Sequence, residues 1–122
     1  MTTEFKKLVQ KLGKTCSRAE DLDEREVVTL FAEQGFFSQL GFGRIGEDLR
    51  LETRIKKGRV DVLLRGVTGR PICVLEFKRP GTDLSTHFTQ LEEYVREILP
   101  EYAALTNGND FWLYHRRGET LE

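Results

Sequence analysis

Gly58–Pro80, GRVDVLLRGVTGRPICVLEFKRP, decides how this chain folds. Val60, Val62, Leu63 and Leu64 make one strand and Ile72, Cys73, Val74, Leu75 and Phe77 a second, with a short Gly/Pro turn between them. Runs that are apolar on both faces belong to strands covered on both sides, so Asp61, Glu76 and Lys78 stand where hydrophobic residues are expected. The two-residue period puts Glu76 and Lys78 on one face, and pairing of the strands lets Asp61 face the same spot from next door. Two carboxylates and an ammonium converging at a sheet end are costly to bury unless a cation neutralises the acids. That is the chemistry of a hard divalent metal site.

Downstream, a helix is expected from about Ser85 to Leu99, stopped by Pro100, with Leu84, Phe88, Leu91, Val95 and Ile98 as its buried stripe. His87, Gln90 and Tyr94 share one flank, and Gln90 and Tyr94, four residues apart, set an amide beside a phenol. Taken alone, a Gln and a Tyr beside an apolar stripe are more often boundary residues than functional ones. Tyr102–Leu105 and Phe111–Tyr114 read as two further strands around the turn signal Thr106-Asn107-Gly108-Asn109-Asp110. The crossover after Lys78 is long enough to bring the Tyr102 strand parallel to the Glu76 strand. The charged end, HRRGETLE, gives no sign of a domain closing on itself.

Upstream, Phe5, Leu8, Val9 and Leu12 predict a short amphipathic helix ended by Gly13, and Thr15–Asp23 reads as a polar turn with Ser17 or Asp23 available as an N-cap. A single helix is expected from Glu24 to Leu40, with Val27, Leu30, Phe31 and Phe37 on one side and Gly35 as its weak point. Glu26 lies at the edge of that stripe, where a carboxylate can reach a site at the sheet end or serve as an ordinary first-turn acid favoured by the helix dipole. Gly41, Gly43 and Gly46 spell G-x-G-x-x-G, but helix precedes them and strand follows, so the stretch is a loop and not a dinucleotide fingerprint. Leu49–Ile55 alternates Leu49, Leu51, Thr53 and Ile55 against Arg50, Glu52 and Arg54, a half-exposed strand. Lys56-Lys57-Gly58 is a basic turn that either touches phosphates or simply solvates a hairpin.

With 122 residues, 39% of them hydrophobic and 32% charged, the chain suits one α/β domain with a central mixed sheet flanked by helices, residues 1–22 forming an N-terminal helix and linker and 23–122 the core. No apolar run suits a membrane span and the N-terminus lacks a signal-peptide core, so a cytoplasmic location is expected. Cys73 reads as a small core residue, Cys16 lies in a polar segment, and no Cys/His spacing suggests zinc. A net charge of −1 counts against a tight autonomous nucleic-acid binder. His87 and His115 have no nucleophile elbow, and no Walker A loop is present.

Asp61 followed by Glu76-Phe77-Lys78 resembles the D…(D/E)-x-K core of the PD-(D/E)xK nuclease superfamily. Gly58-Arg59-Val60-Asp61 resembles its G-x-hydrophobic-D form, with Val60 where the family's proline would stand. Gln90-Leu91-Glu92-Glu93-Tyr94 resembles the Q-x-x-x-Y element of its RecB-like exonuclease branch. Leu40-Gly41-Phe42, Glu76-Phe77-Lys78-Arg79-Pro80-Gly81 and Thr106-Asn107-Gly108 are most similar to the N-terminal nuclease domain of type I restriction enzyme R subunits, and similar domains precede methyltransferase modules in single-chain restriction-modification enzymes. The resemblance spans roughly Glu24–Tyr114. It implies a restriction-endonuclease-like core in which Asp61, Glu76 and the Phe77 carbonyl hold Mg²⁺ or Mn²⁺. It also implies that Lys78 orients the attacking water or stabilises phosphoryl charge, that Glu26 holds a water, and that Gln90 and Tyr94 position Lys78 or the DNA. The substrate would be DNA, double-stranded, and the partners the motor, methyltransferase or specificity domains of a larger restriction system. The alternatives are a catalytically silent docking module built on the same fold and a module that grips a duplex without cutting it.

Overall fold

The computed structural model describes residues 3–122. Helices α1 (Thr3–Arg18), α2 (Glu24–Glu33) and α3 (Phe36–Gln39) come first, then strands β1 (Leu49–Ile55), β2 (Gly58–Arg65) and β3 (Pro71–Phe77). A 3₁₀ turn at Leu84–His87 leads into α4 (Phe88–Ile98), and β4 (Tyr102–Thr106), β5 (Phe111–Arg117) and β6 (Thr120–Leu121) complete the chain. The strands form one mixed sheet in sequence order, antiparallel throughout except for the parallel β3–β4 pair that α4 connects. The expected α/β architecture and the parallel crossover are therefore both present.

The sheet divides the core in two. Leu8, Leu12 and Cys16 of α1 pack with Val27, Phe31, Phe36 and Phe37 against Val62, Leu64, Leu75, Phe77 and Ala104. On the other face Leu91, Tyr94 and Val95 of α4 cover Val60, Leu63, Val74, Ala103 and Leu105. This two-sided cover is why β2 and β3 are apolar in both registers.

Three local expectations are corrected. Helix α1 does not stop at Gly13 but continues to Arg18. Fully buried Cys16 rewards another turn, and the Thr15 and Ser17 hydroxyls donate back to the Lys11 and Gly13 carbonyls, so the polar segment is satisfied as helix. The single helix Glu24–Leu40 is two, broken at Gly35, whose φ of 82° restarts the chain so that Phe36 and Phe37 both turn into the core. Strand β1 does not keep one face inward: Leu49 joins the cluster under α1–α3 and Ile55 the cluster under α4. The switch falls at Glu52, whose φ is 48°, between the pairs Leu51↔Val62 and Thr53↔Val60. At the C-terminal end β6 pairs with the end of β5.

Among the described residues no helix is long and apolar enough to cross a membrane.

Candidate functional site

The β2–β3 ladder runs from Leu64↔Cys73 through Val62↔Leu75 and then gives way to side chains. Beyond Val62 the Asp61 amide donates to Glu76 Oε1 at 2.9 Å, and the Phe77 amide donates to Asp61 Oδ2 at 2.8 Å. Each carboxylate thus accepts from a main-chain amide of the other strand, a reciprocal side-chain link beyond the last backbone pair of the ladder. Asp61 lies opposite the left-handed Glu52, and on β2 the inward face changes here too, since Val60 packs under α4 and Val62 under α1–α3. The local twist of both strands turns the Asp61 carboxylate along the sheet towards β3. Because a strand residue sends its N–H and C=O to the same side, the Phe77 carbonyl also leaves towards Asp61.

Glu76 is 4% exposed and Lys78 8% exposed, an unusual depth for either type. Burial, followed by the charge of Asp61 beside it, pushes the Glu76 carboxyl up to about 8. The Asp61 carboxyl is also raised, by burial first, against the opposing effect of the Phe77 amide. Two facing acids in a dry site hold on to a proton that either alone would release.

Lys78 follows the last residue of β3, and its amide donates to the Thr106 carbonyl at 2.8 Å, continuing the parallel ladder to β4. Its ammonium donates to Gln90 Oε1 at 3.5 Å and lies 3.8 Å from Glu24 Oε1. Gln90 is brought to the cluster from α4 as its flank position requires. Tyr94, one turn on, makes no such bond to Lys78. It is buried, and the space over Gly58 holds its ring: a Cβ at Gly58 would lie 3.1 Å from the Tyr94 hydroxyl. Burial and then the charges of Glu76 and Asp61 raise the Tyr94 phenol above its ordinary value, so it stays neutral behind the acids.

The helix acid at this site is Glu24. Glu26 instead closes a capping box: its carboxylate accepts from the Asp23 amide at 3.1 Å while Asp23 Oδ1 accepts from the Glu26 amide at 2.8 Å. Asp23-x-x-Glu26 is the sequence signature of that box, and reading it would have assigned Glu26 to the cap and left Glu24 free to reach Lys78. Asn107 of the Thr106-Asn107-Gly108 turn also has a part that its turn signal alone does not reveal. It is 3% exposed, donates from Nδ2 to the Thr82 carbonyl at 2.9 Å, and so ties the loop after Lys78 to the end of β4.

The cluster gathers Glu24, Asp61 and Glu76 around the one ammonium of Lys78, an excess of negative charge that a divalent cation would offset. Among the described residues no group of three or more His, Cys, Asp or Glu side chains is arranged to hold a metal by itself. Two carboxylates with a carbonyl is the donor set of Mg²⁺, which keeps several waters and completes its shell with substrate phosphate. The residues present fit that ion and do not fit zinc. The large apolar cavity, about 710 Å³ between α1, α3 and the sheet, is lined by side chains such as Phe36, Leu75 and Phe111, and the charged cluster takes no part in it.

A comparison with curated proteins finds no match. A scan of protein families matches residues 29–122, which carry every strand, Asp61, Glu76, Lys78, Gln90 and Tyr94 but neither α1 nor Glu24, to the family described as Type I restriction enzyme R protein N terminus (HSDR_N). This chain belongs to that family, the N-terminal domains of type I restriction enzyme R proteins.

Proposed function

We propose that the domain is a PD-(D/E)xK nuclease that hydrolyses DNA phosphodiesters, more specifically of duplex DNA, within a type I restriction system. The observation that carries this reading is the interrupted β2–β3 ladder. Two carboxylates accept from main-chain amides of each other's strand at one spot, with a buried ammonium beside them. A structural ion-pair cluster would match its charges, whereas this one leaves acid in excess.

Asp61, Glu76 and the Phe77 carbonyl would hold Mg²⁺ or Mn²⁺, which when bound supplies Lewis acidity towards the scissile phosphate and a more acidic water. Asp61 and Glu76 are held in place by the main-chain amides that they accept from, and a hydrogen bond joins the two carboxyls, whose shared proton a bound cation would displace. Lys78 is not a ligand. Its ammonium, steadied by Gln90 and Glu24, would orient the attacking water and stabilise the charge that builds on the phosphoryl oxygens as the P–O ester bond breaks. Tyr94 supports the start of β2 and keeps a neutral wall behind the acids. Motor, methyltransferase and specificity components would deliver the DNA, in the cytoplasm where the genome lies.

The test is cleavage of supercoiled and linear plasmid with Mg²⁺ or Mn²⁺ by wild type, Glu76→Ala and Lys78→Ala proteins. Metal-dependent nicking lost in both variants is the expected result. Absence of both cleavage and divalent-metal binding in wild type would replace this reading with the silent docking module.

A further inference from the structure

The charge of this protein is unevenly placed. Helix α1 carries Lys6, Lys7, Lys11, Lys14 and Arg18 against the single acid Glu4, while the whole chain has a net charge of −1. Lys7, Lys11, Lys14 and Arg18 follow one another at intervals of four, three and four residues, the spacing of a single helix face. All four are exposed, and with Gln10 and Thr15 they line one shallow depression of about 360 Å³ to which no acid contributes.

Like charges at these spacings each repel by roughly 0.2–0.5 kcal/mol, and the one acid of α1, Glu4, lies at its far N-terminal end. Among the described residues none of these four cations enters an ion pair, although Arg25, Arg44, Arg59, Arg70 and Arg117 all find carboxylates. An external polyanion would supply the missing charge.

The geometry points to the α1 stripe Lys7, Lys11, Lys14 and Arg18 as a contact surface for the phosphodiester backbone of a nucleic-acid duplex. From Lys7 to Arg18 the helix rises about 17 Å, enough to face phosphates on both sides of a groove roughly 12 Å wide. The opposite face of α1 is already committed, since Leu8, Leu12 and Cys16 are buried in the core. A helix so anchored keeps its apolar stripe in the core and leaves of its large apolar residues only Val9 exposed, too little to insert into lipid, which sets a duplex above an anionic membrane as its partner. The helix also lies near the site. Gly108 packs against the Cys16 thiol, and Gly108 follows directly on Thr106 and Asn107, which fasten Lys78 and the loop after it. The stripe would hold the duplex by charge alone, without reading bases, while the acid-rich cluster engages a phosphate only with a cation between them.

This inference rests on DNA being the substrate but not on cleavage, so binding is measured with metal chelated. Anisotropy of a fluorescent duplex is titrated with wild type, the pair variant Lys11→Gln/Lys14→Gln, the quadruple variant that also carries Lys7→Gln and Arg18→Gln, and a control, Arg50→Gln/Arg54→Gln, over a series of salt concentrations. Circular dichroism of each variant reports that α1 remains helical. The expected slope of log affinity against log salt shrinks by about 0.9 for each stripe cation removed, with half of the quadruple effect in the pair and an affinity loss above about tenfold at low salt in the quadruple variant. An equal loss per charge in the β1 control, a quadruple variant that binds as wild type does, or no duplex binding by wild type would overturn it. So would a defect confined to phosphatidylserine vesicles. Cleavage failing in every variant while the stripe still sets the salt slope would reject the nuclease and leave the contact surface standing.

Discussion

The two ends of the β2–β3 pair are built by opposite rules. At Val62–Leu64 and Cys73–Leu75 the strands exchange backbone hydrogen bonds and send apolar side chains to both clusters. At Asp61 and Glu76, one residue further on, carboxylates link the strands through main-chain amides and carry charge to a depth where Glu76 is 4% exposed. The first arrangement stabilises and the second opposes folding unless something outside the chain completes it. Stability and chemistry are therefore adjacent but separable along the same two strands.

The largest expected effect tests the chemical end. Lys78→Ala should lower metal-dependent cleavage by about 10²–10³-fold or more while isothermal calorimetry still detects divalent binding, and Asp61→Ala should lose that binding. Cleavage that survives in Lys78→Ala would remove the ammonium from the mechanism. At the apolar end, Leu75→Ala should cost about 2–5 kcal/mol in denaturant unfolding. A loss well below that range would mean that the central ladder is less committed to stability than its burial indicates.

Acidity sharpens the contrast. Glu76 holds its proton in the folded protein up to about 8 against an ordinary value of 4.5, so folding favours the protonated form. With EDTA present, the stability that this confers is complete below 4.5 and is lost as the pH rises towards about 8. The melting temperature of the chelated protein should fall across that window by an amount worth on the order of a few kcal/mol, and Glu76→Gln should flatten the profile. An unchanged slope in that variant would place the titration elsewhere. The smallest effect separates two neighbouring acids. Glu26→Ala should cost about 1 kcal/mol through loss of the cap and leave cleavage intact, whereas Glu24→Ala should change cleavage more than stability. The reverse pattern would return the functional role to Glu26.

Much of this was legible because period and order carry it. Apolar runs in both registers of β2 and β3 pointed to cover on both faces, and the segment after Lys78 was long enough for the parallel return that the structure shows. The charged residues in those runs were conspicuous for the same reason, and the structure brings Asp61, Glu76, Lys78 and Gln90 to one place. What escaped depended on tertiary choices. Cys16 looked like part of a polar turn until its burial extended α1, and β1 looked like a uniform alternating strand because nothing in Leu49–Ile55 marks Glu52 as left-handed. Glu24 and Glu26 stand on the same turn, and the local signal that tells them apart, the capping-box spacing of Glu26 from Asp23, is borne out by the hydrogen bonds of Asp23.

The kink at Glu52 also bears on how copies of this protein meet. Strand β1 is the outer strand on its side of the sheet, and a straight, apolar outer strand invites another chain to pair with it. Here Glu52 twists the strand midway, and Arg50, Glu52 and Arg54 line it with exposed charge. The opposite margin ends in β6, two residues long. Because β6 pairs only with Arg116 and Arg117, the Phe111–Tyr114 part of β5 has no strand on its outer side among the described residues and exposes Phe111, Trp112 and Leu113, so the kink at Glu52 guards one border of the sheet and leaves the other as the place where a neighbour's strand would add.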